Sequence, residues 1–197
     1  MQSLSPQLYL ASQSPRRREL LMQIGLSIAV LNIQIPEIPQ LNEAPMAFAK
    51  RMALTKAKTG WQSAQRKYDC PVLSADTIVV CDNRILGKPA DREEGIAMLT
   101  QLSAKTHQVI TAVAVVREEQ VYCDYSVSQV TFRALQPAEI MQYWETGEPC
   151  DKAGAYAIQG LAATFIAHLE GSYSGVMGLP LYETAKLLNK LGIAVLA

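Results

Sequence analysis

Asp76 and Thr77 interrupt an apolar run that includes Val72, Leu73, Ile78, Val79 and Val80. A carboxylate among such neighbours is costly unless a cation or a metal pairs with it, and residues that do chemistry often occupy such places. The competing reading puts Asp76 on a solvated face or at a bulge.

A second group lies at Ser12-Gln13-Ser14-Pro15, followed at once by Arg16-Arg17-Arg18. Ser14 suits a helix N-cap and Pro15 the first helical position, which puts three cations on the first turn. The helix dipole disfavours each of them there by roughly 0.3–1 kcal/mol. An anion at that place would meet backbone N–H groups and guanidinium forks together, so the pattern predicts a phosphate site. A short run of solvated arginines is the alternative.

Two further cations fit a phosphate site, Lys88 in the rigid turn Gly87-Lys88-Pro89 and Lys56 on a helix earlier in the chain. His107 and His168 are far apart and match no histidine metal motif, which leaves carboxylates as ligands for a hard cation. Cys70, Cys81, Cys123 and Cys150 are scattered and form no C-x-x-C pair. The chain has no Walker-type loop, G-x-G-x-x-G fingerprint or G-x-S-x-G elbow, so phosphate binding must use another scheme.

These residues must be carried by regular elements. Tyr9 to Ala11 ends a strand, and a helix from Pro15 buries Leu20, Leu21 and Ile24 before Gly25 closes it. Residues 28–45, with three prolines, predict an irregular extended connection. Residues 46–66 carry a helical pattern through Phe48, Met52, Ala53 and Ala57, and Val72 to Cys81 is a strand. Asp82-Asn83 suits a tight turn, and Asp91 to Glu94 a capping box that opens a helix.

His107 to Val116 and Gln120 to Phe132 predict a long antiparallel hairpin, followed by a helix from Pro137 to Thr146. Thr164 to Leu169 is a strand, and Pro180 to Leu191 a helix ended by Gly192. Hairpins mixed with strand–helix units predict an α/β or α+β fold on a mixed, twisted sheet.

The chain has 197 residues, 49% of them hydrophobic, enough for one domain or two joined lobes. Eighteen Lys plus Arg balance eighteen Asp plus Glu, so no global field draws in nucleic acid or an anionic membrane. The first six residues lack a positive region and a long apolar stretch, and no run is long enough to span a bilayer. The expectation is a cytoplasmic protein with neither a membrane nor a nucleic-acid partner.

Five blocks together resemble the Maf family: LASQSPRRRELL at 10–21, SADTIV at 74–79, GKP at 87–89, DKAGAYAIQG at 151–160 and GLPL at 178–181. They span nearly the whole chain in one order and spacing. The resemblance implies a single domain over 1–197, with a mixed sheet flanked by helices and two lobes around a deep cleft, as in the inosine triphosphatase-like fold. It implies a nucleoside triphosphate pyrophosphatase that uses Mg2+ or Mn2+, and a homodimer.

By the same resemblance, Asp76 is the catalytic carboxylate. Ser12, Arg16, Arg17, Lys56 and Lys88 line the phosphate site, and Glu37 with Asp76 is the candidate metal ligand pair. Arg16, Thr77 and Gln159 match the specificity positions. The block ending in Gln159-Gly160 is similar to the dTTP and UTP branch, where the 7-methylguanosine branch has Glu. The chemistry agrees, because a Gln amide offers both a donor and an acceptor to O4 and N3–H of uracil or thymine.

Two rival readings follow from the same residues. One is a 7-methyl-GTP pyrophosphatase, and the other is a nucleotide-binding regulator of cell division without useful turnover. A phosphate-binding domain that meets a protein or RNA partner is a third, against which the neutral charge and missing aromatic-basic stripe count.

Overall fold

The computed structural model describes residues 5–195, so the N-terminal reading on Met1 to Leu4 lies outside the described residues. Seven strands form one mixed sheet in the order β2-β1-β3-β5-β6-β7, with β4 paired to β3. The strands are β1 (Leu8–Leu10), β2 (Ile28–Val30), β3 (Val72–Cys81), β4 (Arg84–Leu86), β5 (Thr106–Arg117), β6 (Gln120–Phe132) and β7 (Ile166–Glu170). The helices are α1 (Pro15–Gln23), α2 (Pro45–Trp61), α3 (Arg92–Leu102), α4 (Pro137–Glu145), α5 (Tyr173–Met177) and α6 (Leu181–Asn189).

The mixed sheet and the flanking helices match the expected class. β1 runs parallel to β2, pairing Leu8 with Ile28, and parallel to β3, pairing Tyr9 with Val72. β4 is antiparallel to β3 and β7 to β6. β5 and β6 are joined by Glu118-Glu119 alone, a link that only an antiparallel pair accommodates.

The chain divides into two compact units. The first comprises the residues up to Asp76, Thr111–Ser126 and those from Gly178 onward; the second comprises Thr77–Ile110 and Val127–Met177.

In the first unit α1 ends as a Schellman motif: Leu26 N–H donates to Leu21 O and Gly25 N–H to Met22 O, with Gly25 at φ +80°. Residues 28–45 begin with the three-residue strand β2, where the sequence predicts only an irregular connection. α2 stops at Trp61 rather than at residue 66, because Arg66 stacks on the Trp61 ring and takes the Trp61 carbonyl with Nη1 at 2.9 Å. A small core gathers Tyr9, Ala11, Leu31, Cys70 and Val72.

In the second unit Asp82 and Asn83 both have positive φ, the backbone that a tight hairpin turn between β3 and β4 requires. Asp91 caps α3 by accepting from Glu94 N–H, while Glu94 reaches back to Ala90 N–H, one residue before the capping-box position. The helix α5 is an addition that the sequence did not announce. The core brings Val79, Leu99, Leu102, Val130, Phe132, Tyr143, Tyr156 and Phe165 together.

His107 lies inside that core. Its Nε2 hydrogen-bonds the Tyr156 hydroxyl at 2.8 Å, Phe132 meets its ring edge-on, and Nδ1 is buried without a partner among the described residues. Burial lowers its pKa from 6.5 to about 4, since a second ring proton has no acceptor to receive it. The native state therefore refuses a proton that the unfolded chain accepts. The stability this provides is complete above pH 6.5 and drains away as pH falls from 6.5 toward 4, by about 3 kcal/mol in all. Urea midpoints at pH 7.5 and 4.5 check this: wild type must lose more than His107→Gln, and equal losses would refute it.

Candidate active site

The first unit assembles most of the predicted residues. β3 carries Asp76 into the interior, where it is 5% exposed, and α2 carries Lys56, which is 8% exposed. Lys56 Nζ donates to Asp76 Oδ1 at 2.6 Å, so the costly carboxylate has the cationic partner its apolar surroundings demand. The same ammonium lies 2.6 Å from Glu37 Oε1, and the Glu37 side chain is more exposed, at 43%. Burial pushes the Asp76 carboxyl above its ordinary range, opposed by the charges of Lys56 and Arg17 and reinforced by Glu37.

Local interactions fix these three side chains. Ser74, fully buried and two residues before Asp76, donates its hydroxyl to the carbonyl of Ala53, three residues before Lys56, and so ties α2 to β3. Glu37 sits on the connection after β2. Arg51 holds that connection by donating to Ile38 O at 3.0 Å and by a two-pronged pair with Glu43, both prongs at 2.6 Å. That pairing lowers the Glu43 carboxyl to about 2.

The start of α1 supplies the basic wall. Arg16 and Arg17 are half-buried and Arg18 is exposed. Ser14 is the N-cap by position, but its side chain makes no capping hydrogen bond. Instead Ser12 Oγ accepts from Ser14 N–H at 3.2 Å and from Arg17 Nη1 at 3.1 Å. With both lone pairs used, the Ser12 hydroxyl proton is left to donate outward, as a phosphate oxygen would want.

Arg17 Nε donates to the carbonyl of Gly178 at 2.7 Å, and Gly178 has φ +122°. The sequence does not predict this holding role for the G-L-P-L turn; a glycine two residues before Pro180 is its only signal there. Burial pulls the Arg17 guanidinium below its usual range, with the Asp76 charge pulling it back, and a guanidinium stays charged regardless.

The second unit holds Thr77, Lys88 and Gln159. Thr77 is the one position of β3 that is not fully buried. Lys88 is exposed, and its turn is anchored by Gly154 N–H donating to Gly87 O at 3.0 Å. Gly154 has φ +68°, and a Cβ there would lie 2.9 Å from the Val79 side chain, so only glycine fits. Gln159 is exposed.

No cluster of three or more His, Cys, Asp or Glu suited to a metal exists among the described residues. Lys56 lies between the Asp76 and Glu37 carboxylates, and no helix among the described residues is long and apolar enough to cross a membrane. The four cysteines are free thiols.

A buried carboxylate–lysine pair beside a helix start bearing arginines, on a mixed α/β scaffold, defines a protein built to handle a polyanion. Comparison with known proteins makes this specific. The chain belongs to the Maf-like protein family, whose model matches residues 7–191. It is 52% identical over 192 residues to the dTTP/UTP pyrophosphatase of Saccharophagus degradans, covering 97% of this chain and 91% of the relative. It is 54% identical over 191 residues to that of Alkalilimnicola ehrlichii, covering 95% and 94%. It is 50% identical over 196 residues to that of Bordetella pertussis, covering 96% and 95%. Among solved structures, the Ham1 protein of Staphylococcus aureus aligns with 64% of this chain and 71% of its own, at 11% identity and a TM-score of 0.44.

Proposed function

We propose that this protein hydrolyses dTTP and UTP to the nucleoside monophosphate and pyrophosphate, as a house-cleaning enzyme of nucleotide pools. The observation that carries the chemistry is the buried Asp76, held by Lys56 and flanked by the Arg17 charge. The relatives' shared name carries the substrates.

In this scheme the arginines at the start of α1, with Ser12 donating its hydroxyl, take phosphate oxygens. Asp76 orients a water against the α-phosphorus and accepts its proton, for which a carboxyl raised by burial is better suited than an ordinary one. The water oxygen bonds to phosphorus, the bridging bond to the β-phosphate oxygen breaks, and pyrophosphate leaves with that electron pair. Arg16 and Arg17 neutralise the charge that gathers on it.

Asp76 and Glu37 fit Mg2+ or Mn2+, because a hard dication is commonly held by one or two carboxylates plus substrate phosphates. Bound there, the ion would supply charge neutralisation and polarisation of phosphoryl oxygens. Lys56, bridging both carboxylates, holds the two side chains near one another.

Gln159 is the base-reading residue, with Thr77 and Arg16 as the other specificity positions. A Gln side chain matches the donor and acceptor of uracil and thymine, whereas Glu accepts only. Gln159→Glu therefore shifts the kcat/KM ratio from dTTP toward 7-methyl-GTP by about tenfold or more. The compartment this reading requires is the cytoplasm, and a homodimer is its expected state.

The test is to incubate purified protein with Mg2+ or Mn2+ and a panel of canonical and modified triphosphates, measuring monophosphate and pyrophosphate separately. Selective release from dTTP and UTP supports the reading. Preference for 7-methyl-GTP overturns the specificity, and absence of turnover throughout the panel overturns the chemistry.

A further inference from the structure

Gln159 is the third residue of a tight turn closed by Gly160 N–H donating to Ala157 O at 3.1 Å. Two side chains outside this turn hold the backbone on both sides of it. Before Gln159, Ala157 N–H donates to the Tyr143 hydroxyl at 3.3 Å. After it, Leu161 N–H donates to Glu148 Oε2 at 2.9 Å and Ala162 N–H to Glu148 Oε1 at 3.3 Å. The two holders are joined, since the Tyr143 hydroxyl donates to Glu148 Oε1 at 2.8 Å.

We propose that Tyr143 and Glu148 are positioning residues for base recognition, bracketing the turn that presents Gln159. This rests on the reading of Gln159 as the base-reading residue. Three backbone amides and one hydroxyl converge on two side chains, and the only side chain of the turn left in solvent between them is that of Gln159. The backbone passes so close to the Glu148 carboxylate that a Cβ at Gly160 would collide with it, which explains the glycine after Gln159.

The bracket has a rigid base. Tyr143 is 4% exposed on α4, its ring meeting Phe165 edge-on at 5.0 Å. α4 is itself fixed at its start by the Glu139 carboxylate, which accepts from Gln136 N–H at 2.9 Å. Burial first, and Glu148 second, push the Tyr143 hydroxyl above its ordinary range and keep it a donor. A recognition amide displaced by about an ångström loses its alignment with a base edge, so holding the turn is a specificity function.

The test compares kcat and KM for dTTP, UTP and 7-methyl-GTP in wild type, Tyr143→Phe, Glu148→Ala, Glu148→Gln and Gln159→Ala. The expected result is an about tenfold fall in the dTTP to 7-methyl-GTP ratio of kcat/KM for Tyr143→Phe and Glu148→Ala, carried by the dTTP KM with kcat little changed. Glu148→Gln, which keeps one acceptor oxygen, retains part of the ratio. Tyr143→Phe and Glu148→Gln preserve volume and carry the test should Glu148→Ala fail to fold.

A wild-type ratio in these variants, while Gln159→Ala collapses it, overturns the bracket and leaves Gln159 as the reader. An equal fall in kcat/KM for all substrates also overturns it, because that is what a merely structural role produces. An unchanged ratio in Gln159→Ala overturns the base-reading assignment, and the bracket with it.

Discussion

Replacing Asp76 with Asn lowers kcat for dTTP by about three orders of magnitude, while the thermal midpoint moves by no more than a few degrees. The two halves of this expectation come from one geometry. Asn occupies the same volume and can still accept from Lys56 through Oδ1, so the 2.6 Å contact to α2 survives. Glu37, also 2.6 Å from the Lys56 ammonium, leaves that buried cation a carboxylate partner when the charge of Asp76 is removed, which limits the loss of stability. The amide, however, cannot take a proton from water, nor serve a dication as a carboxylate does. Pyrophosphate release and thermal unfolding on the same preparation check both halves. Near-normal turnover would remove Asp76 from the chemistry, and a loss confined to KM would make it a binding residue.

Lys56→Met should be costly in a different way. Methionine keeps the unbranched stem in the buried face of α2 but deletes the ammonium that Asp76 and Glu37 share. Asp76 then keeps its burial and its repulsion from Glu37 and loses its nearest cation, so its carboxyl rises further. At neutral pH a larger fraction is protonated and unable to act as a base, and kcat/KM falls by about a hundredfold. Because the carboxylate form returns as pH rises, part of the activity returns in alkaline buffer, which wild type would not need. The fold loses roughly 1–3 kcal/mol, since one member of a buried pair is left without its partner. A pH–rate profile with urea midpoints tests this, and a profile parallel to that of wild type would refute the coupling of Lys56 to Asp76.

Much of the scaffold was legible because it rests on chemistry between near neighbours. β3 stands out as an apolar run bounded by turn residues, and its observed limits are Val72 and Cys81. The β5–β6 hairpin is equally plain, being two long runs rich in Val, Thr and Tyr around Glu118-Glu119. β2 was not legible, because three residues show no periodicity; Ile28–Val30 is a strand only because β1 lies beside it to pair with. Ser14 illustrates another limit. Its cap position follows from Pro15, but the hydroxyl that receives its own N–H belongs to Ser12, an oxygen that Arg17 also reaches.

Lys56 is the instructive partial miss. Phe48, Met52, Lys56 and Gly60 recur every four residues along α2, which is the buried stripe, and all four are buried. A cation on an apolar stripe carries the same message as a carboxylate in an apolar strand, and the two together announce a pair. From sequence alone Lys56 is assigned to a phosphate and is not paired with Asp76.

By itself the sequence determined the elements and the types of group available: a carboxylate in β3, cations at the start of α1, and a Gln before the glycine of the second-unit turn. These follow from interactions spanning a few residues, which neighbouring side chains reveal. Only the tertiary structure decided which groups meet. Lys56 reaches Asp76 and Glu37 because Ser74 ties α2 to β3, and Arg17 is held by a carbonyl 161 residues away. The physical reason is that ion pairs and hydrogen bonds act over a few ångströms in space, whatever their separation along the chain, and that proximity is created only when the strands pair and the core closes.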